Sequence, residues 1–442
     1  MKSYFAEHAL LPGGWARNVR IGVTAGDFGE VGAESSAEGA ERLAGPVLPG
    51  MANLHSHAFQ RAMAGLAETR GAPDDDFWTW RELMYRFVER MEPGQAQAIA
   101  AQLYVEMLKH GYTAVAEFHY VHHPAELLTR HLEAARLTGI AITLLPSLYR
   151  WSSFGSRPLE PRQRRFDSAP RQVLSLLEGL QSSISPDIKI GVAPHSLRAV
   201  DPAALRELVA GAPPAAPIHI HAAEQLKEVN DCRAALGRRP VEWLLEHFEL
   251  GGRWCVVHAT HMTAEETRAL AASGAVAGLC PSTEANLGDG IFPLLDYRAA
   301  GGRFGVGGDS HVSRDPAEEL RLLEYVQRLT ARRRNLSVGS TSPSVGTTLW
   351  LEAAAGGAQA LGRAMGAIAP GKRADLVVLD AEHVDLAGSV GDAIANALVF
   401  SGATALVRDV MVAGRWAVRD RRHPAEEQAA QAYKAALKQL LA

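Results

Sequence analysis

From about Gly45 to Gly308, short apolar runs alternate with stretches of helical periodicity, and this rhythm predicts the architecture. Ahead of it, Val19, Ile21 and Val23 alternate with polar or small residues and Gly26 and Gly29 offer turns, which predicts a short β region. Eight runs read as strands: Val47 to Leu54, Thr113 to Phe118, Ala141 to Pro146, Ile188 to Ala193, Pro217 to His221, Trp254 to His258, Ala275 to Cys280 and Arg303 to Gly307. Most are followed by a helix-compatible segment, the signature of βα units and a parallel sheet. Eight such units predict a (β/α)8 TIM-like barrel, with its active site at the carboxyl ends of the strands.

Past Asp309 the chain reads as helix, opened by Asp315 as cap, Pro316 at the first helical position and Glu318 three residues on. Ser337 to Thr348 is a Gly/Ser/Thr-rich break. β character returns in Ala374 to Leu379 and Val407 to Val412, and the two β-rich chain ends are expected to meet as a small flanking β-sandwich domain. The expected division is 1–46 plus 367–421 for that domain, 47–366 for the barrel and 422–442 for a C-terminal helix. On that helix Ala430, Tyr433, Leu437 and Leu440 share a face fit for docking. Two connections exceed what a barrel needs, 58–95 and 151–171, and each is either a lid or specificity element or peripheral packing.

Composition narrows the function. The 442 residues are 47% apolar and 21% charged, with a net charge of −4, so the chain is an ordinary globular one without the basic excess of a nucleic-acid binder. Cys232, Cys255 and Cys280 form no CxxC pair and no disulfide framework, which points to a reducing cytoplasm. The opening Met1 to His8 lacks a basic flank with an apolar stretch, and no run approaches the ~18 apolar residues of a membrane span.

The chemistry collects at the strand ends. Asn53-Leu54-His55-Ser56-His57 places two imidazoles on one face of a strand, although an HxH alone is weak. The fifth strand offers His219, His221 and, three residues on, Glu224; His221 is favoured as a ligand and His219, one step deeper, as a hydrogen-bonded core residue. The sixth strand ends in His258 and the eighth in Gly307-Gly308-Asp309. So many polar groups in one concavity would be destabilising by several kcal/mol unless a divalent cation compensates them.

At these residues the sequence resembles the amidohydrolase superfamily. The stretch Gly366 to Leu376 is similar to the segment where such chains re-enter their small β domain. Many members hold two metals bridged by a lysine at the end of strand four, but that strand here ends Val192-Ala193-Pro194-His195-Ser196. Lys189 lies about 15–20 Å away along an extended strand, so a single metal is expected. Within the mononuclear deaminases, Pro49 to Gly65, Phe77 to Arg81 and Glu117 to Tyr120 resemble the N-formimino-L-glutamate iminohydrolase (formimidoylglutamate deiminase) family of bacterial histidine degradation. The resemblance implies one divalent ion, zinc first, on His55, His57, His221 and Asp309. It also implies catalytic roles for Glu224, His258 and Asp309 and substrate contacts from Gln60, Arg81, Tyr120, His195 and Arg198.

Such a substrate carries a cationic formimino group and two carboxylates, so it asks for activated water at one end and Arg, His and Tyr donors at the other. The Arg332-Arg333-Arg334 run reads instead as a solvated helix end. The alternatives are a mononuclear deaminase of a nucleobase, nucleoside or other amidine, and a non-catalytic scaffold of the same fold. The expected partners are a small molecule and, by analogy, a second copy in a homodimer, with neither nucleic acid nor membrane.

Overall fold

The computed structural model describes residues 2–69, 76–340, 342–402 and 405–442. Eight parallel strands form the barrel: β1 (Met51–Ser56), β2 (Tyr112–His119), β3 (Ala141–Leu148), β4 (Ile188–Ile190, resumed at Ala193–Pro194), β5 (Ile218–Ala222), β6 (Trp254–His258), β7 (Val276–Leu279) and β8 (Arg303–Val306). Every residue of β1, β2, β3, β5, β6 and β7 is buried, because helices cover the outside and side chains fill the inside. That is why these runs are largely apolar, with polar residues such as Glu117, His219 and His221 buried among them.

The strands pair as two open halves, β1 to β4 and β5 to β8. Isolated bridges close the two seams, Ser56 with Asp309 and Val192 with Ile218. At the first seam Asp309 N donates to His55 O at 2.9 Å and His57 N donates to Asp309 O at 3.0 Å. Gly307 makes this approach feasible: a Cβ there would lie 2.8 Å from His55 N and O.

The run Val47 to Leu54 is not one strand. Val47–Pro49 pairs with Leu376–Leu379 in the small domain, Gly50 N donates to Asp375 O, and only Met51–Ser56 enters the barrel. An unbroken apolar run carries no mark of where its hydrogen-bonding partner changes.

The small domain is a single eight-stranded sheet that curls, rather than two separate sheets. Its strands Lys2–Leu11, Gly14–Thr24 and Asp27–Gly32 lie on one side of Val47–Pro49, and Leu376–Leu379, Val407–Val412 and Arg415–Val418 on the other. The curl brings Trp416 edge-on to Tyr4 with ring centroids 5.6 Å apart, although three strands separate theirs in the sheet. Tyr4, Val19, Ile21, Phe28, Leu376, Val378 and Met411 share the core inside it.

Helix Val345–Ala360 packs across β1 and β8, and a Cβ on Gly356 would fall 1.8 Å from Phe304 O, so only glycine permits that contact. Helix Pro316–Ala331 starts where expected, with Asp315 Oδ1 accepting from Ala317 N at 2.8 Å. Glu318 does not close a capping box; its carboxylate accepts from Ser313 Oγ at 2.6 Å. Arg332, Arg333 and Arg334 are exposed past its end. The last helix, Glu426–Leu441, buries Ala429, Ala436 and Leu440 against Pro93–Lys109, with Tyr433 and Leu437 half-buried and Ala430 at the edge of that face. No helix among the described residues is long and apolar enough to cross a membrane.

Both long connections reach the barrel mouth. The first carries helix Phe77–Arg90, capped by Asp76, while Asp74 and Asp75 lie outside the described residues. The second carries the turn Pro161–Phe166, whose Gln163 Nε2 donates to both Tyr85 OH and Tyr149 OH at 3.1 Å. That amide ties the second connection to the first.

Candidate metal and substrate site

The carboxyl ends of β1, β5, β6 and β8 converge on one point. Several residues there adopt left-handed backbone although none is glycine: Ala223 (φ 54°), His258 (φ 66°), Asp309 (φ 49°) and His311 (φ 61°). Such conformations are strained by about 1–3 kcal/mol each and persist where the surroundings over-determine them.

His57 Nδ1 donates to Phe118 O at 2.7 Å and His221 Nδ1 donates to His195 O at 2.9 Å. Each proton is therefore committed to the backbone, and each Nε2 turns a lone pair inward. The two Nε2 atoms lie 3.4 Å apart, and His221 Nε2 lies 3.0 Å from His55 Nε2. Asp309 Oδ1 is 3.5 Å from both His55 Nε2 and His57 Nε2. A tetrahedron with 2.0–2.1 Å arms has edges of about 3.3–3.4 Å, so this donor set fits one divalent cation. Burial holds His55, His57 and His221 below the usual imidazole range, keeping them in the neutral form that ligates. His55 Nδ1 has no hydrogen-bond partner among the described residues.

Beside these donors lies an acid/base cluster. His258 Nε2 is 3.7 Å from Glu224 Oε1 and 3.8 Å from Asp309 Oδ2. Its other nitrogen, Nδ1, is 3.2 Å from Glu284 Oε1. Burial pulls His258 down, but Glu224, the Glu284 hydrogen bond and Asp309 outweigh it and push it up to about 10. Burial raises Glu224 to about 7, against the pull of His258. A dication at the neighbouring donors would lower both. Glu228 receives the backbone N–H groups of Ala223 and Glu224 at 3.2 and 3.0 Å, which sets the turn carrying Glu224.

Next to the donors opens a cleft lined by Trp80, Arg81, Tyr85, Tyr149, Phe166 and Arg198 among others. Arg81 Nε and Nη1 and Arg198 Nη1 are buried without partners among the described residues. Their guanidiniums flank the Trp78 ring, at 4.7 Å for Arg81 and 5.9 Å for Arg198. Unpaired guanidinium N–H groups beside a cleft are receptors for anions. Gln60 Nε2 donates to Tyr120 OH at 2.8 Å, which leaves Gln60 Oε1 unpartnered, and the His195 ring meets Tyr149 edge-on at 4.6 Å.

All the candidate residues read from the sequence thus gather around one cleft: His55, His57, His221 and Asp309 at the donors, Glu224 and His258 beside them, and Gln60, Arg81, Tyr120, His195 and Arg198 along the wall. His219 stays out, its Nε2 donating to Ala360 O at 2.9 Å in the core, and Lys189 bonds Gly362 O far from the donors' end of its strand. Sequence reasoning missed Glu284 and Asp289, which follow β7. The segment Pro281-Ser282-Thr283-Glu284 carries an acid one turn past a strand end, a signal that was available.

The Amidohydrolase family model matches residues 47–417, and a model described as "Formimidoylglutamate deiminase HutF, N-terminal domain" matches residues 1–45. A formimidoylglutamate deiminase of Pseudomonas aeruginosa is 55% identical over 452 aligned positions, covering 100% of both chains. An 8-oxoguanine deaminase of the same organism is 30% identical over 387 positions, covering 85% of this chain and 82% of its own. The crystal structure of an amidohydrolase from Brucella melitensis superposes with a TM-score of 0.94 at 45% identity, covering 100% of each chain. With its donor-lined barrel and these matches along its full length, the chain belongs to the amidohydrolase family, and within it to the formimidoylglutamate deiminases.

Proposed function

We propose that this chain hydrolyses the formimino C–N bond of N-formimino-L-glutamate, giving N-formyl-L-glutamate and ammonia in histidine degradation. The observation that carries this reading is the polarity of the cleft. It has two arginines with unpaired buried N–H groups at one end and an acid/base cluster beside a cation-shaped donor set at the other. A dianion with a cationic amidine head is complementary to that arrangement, and a neutral nucleobase leaves both guanidiniums unpaired.

The amidohydrolase family is metal-dependent. His55, His57, His221 and Asp309 would hold one divalent ion, and three imidazoles with one carboxylate suit zinc. When bound, it lowers the pKa of water from 15.7 toward about 7. Asp309 Oδ2 and His258 Nε2 flank the same space and orient the attacking water, and Asp309 Oδ2 takes its proton as the C–O bond forms. His258, steadied by Glu284, places its positive end at the oxygen that gains charge. Glu224 hands a proton to the departing nitrogen, so the C–N bond breaks to release ammonia rather than an amide anion, and the freed Glu224 carboxylate takes the remaining hydroxyl proton as the formyl C=O forms. Arg81 and Arg198 bind the carboxylates, and Gln60, Tyr120 and His195 orient the chain between. Around this site we assign 1–46 plus 367–421 to the small domain, 47–366 to the barrel and 422–442 to the terminal helix, with Val47–Pro49 transferred to the small sheet it pairs with. The reading also places the chain in the cytoplasm as a homodimer.

Ammonia release from N-formimino-L-glutamate, guanine, cytosine and adenosine, measured side by side on metal-loaded protein, tests the assignment. Turnover of the first and little of the others is expected. Release from a nucleobase or nucleoside with none from the formimino compound overturns it.

A further inference from the structure

One buried acid beside the reaction centre belongs neither to the donor set nor to the proton relay. Asp289 follows the short helix Pro281–Leu287, whose cap Gly288 is left-handed. Its backbone is pinned on both sides: Asp289 N donates to Glu284 O at 2.9 Å, and Asp289 O accepts from His261 Nε2 at 2.8 Å. One oxygen of the carboxylate, Oδ1, accepts from Gln225 Nε2, while Oδ2 is buried with no partner among the described residues, and the residue is only 4% exposed. Single donor-type atoms of Asp289, Glu224 and His258 all lie within 4.8 Å of one another, and Leu287, two residues earlier, lines the cleft.

A carboxylate oxygen buried without a donor is destabilising, and a third acid in a cluster that already holds Glu224 and Asp309 adds repulsion. Burial first, and then Glu224, push Asp289 up to about 9. At neutral pH this carboxyl therefore rests as the acid, and a cation brought to Oδ2 restores the carboxylate form that accepts; a cationic substrate group supplies one. A protonated formamidine carries two N–H bonds on its terminal nitrogen. If Glu224 takes one, the other still needs an acceptor. A neutral amide of the same shape presents an oxygen there, which a carboxylate repels.

We propose that Asp289 is a specificity-determining residue, its free Oδ2 accepting a hydrogen bond from the departing NH2 of the formamidinium and so selecting cationic amidines over isosteric neutral amides. This rests on the deiminase reading above and deepens it. Asp289 forms no covalent bond. It holds the nitrogen that Glu224 protonates.

The matched pair N-acetimidoyl-L-glutamate (cationic) and N-acetyl-L-glutamate (neutral) reads this directly as inhibition constants on metal-loaded protein. The wild type is expected to prefer the amidine by at least about tenfold. Asp289→Asn, which keeps the shape and can keep the Gln225 bond, is expected to reduce that preference by about ten- to a hundredfold, with the amide constant held within about twofold. Asp289→Ser serves as a second variant, and metal content and melting temperature are read for each. Equal binding of the two compounds by the wild type overturns the proposal without any variant. Equal loss of both in the Asn and Ser variants makes Asp289 structural and also overturns it. Failure of the deiminase reading looks different: the wild type then releases no ammonia from N-formimino-L-glutamate.

Discussion

His57 Nε2 stands 3.4 Å from His221 Nε2, and neither nitrogen has a proton to offer the other, because both imidazoles spend theirs on backbone carbonyls, Phe118 O and His195 O. Two facing lone pairs in a buried site repel, and a shared cation turns that repulsion into ligation. Elemental analysis of the purified protein is expected to read about one divalent ion per chain. Chelation should abolish ammonia release and lower the melting temperature by several degrees, since a ligand held at a thousandfold above its Kd stabilises by about 4 kcal/mol. Zinc should restore both, and His221→Ala should lose the ion. A chelated protein that melts unchanged would contradict the assignment.

Glu284 reaches His258 from behind, 3.2 Å from Nδ1, and also accepts from Cys280 N at 2.9 Å. It is a positioning residue, acting on the reaction through His258. Glu284→Gln is expected to lower kcat by about ten- to a hundredfold with KM and metal content close to wild type. A rise in KM at unchanged kcat would place Glu284 in substrate binding instead.

Arg198 and Arg81 hold buried N–H groups with no partner among the described residues, and the proposed function gives them the two carboxylates of the substrate. Arg198→Met is expected to reduce kcat/KM by about ten- to a hundredfold, mainly through KM. With a formimino substrate that lacks one carboxylate, the penalty of either Arg81→Met or Arg198→Met should largely vanish, because the partner of that guanidinium is already missing. Equal penalties on both substrates would argue for a packing role against Trp78.

Glu319 supplies a pH test remote from the donors. It is fully buried, accepts from Ser282 N and Oγ at 2.8 and 2.6 Å, and burial raises its carboxyl from 4.5 to about 8. Between those values the folded chain keeps a proton that the unfolded chain releases, so this stabilising contribution is full below 4.5 and is lost as pH rises through about 8. Against Glu319→Gln, the wild type is expected to lose relative stability across that window, by at most about 1.4 kcal/mol per pH unit. Denaturant melts of both proteins at several pH values check it, and a constant difference would refute it.

The periodicity of the chain carried the barrel, because strands buried on both faces are mostly apolar along their length and helices between them repeat at their own spacing. Local order also carried the donors: an HxH at a strand end puts both imidazoles on one face whatever the rest of the chain does, and His221, His258 and Asp309 fall at the same edge for the same reason. Partnership was not legible. Val47–Pro49 leaves the barrel for the small sheet because its hydrogen bonds go to Leu376–Leu379, some 330 residues on, and nothing in an apolar run names its neighbour. Glu284 and Asp289 likewise gain their roles only when β7 lies beside β6 and β8, which sets one acid against His258 and leaves the other with an oxygen that no described residue satisfies. Sequence periodicity records what each residue does to its own strand or helix; contacts across the barrel depend on closure, and closure is a property of the whole fold.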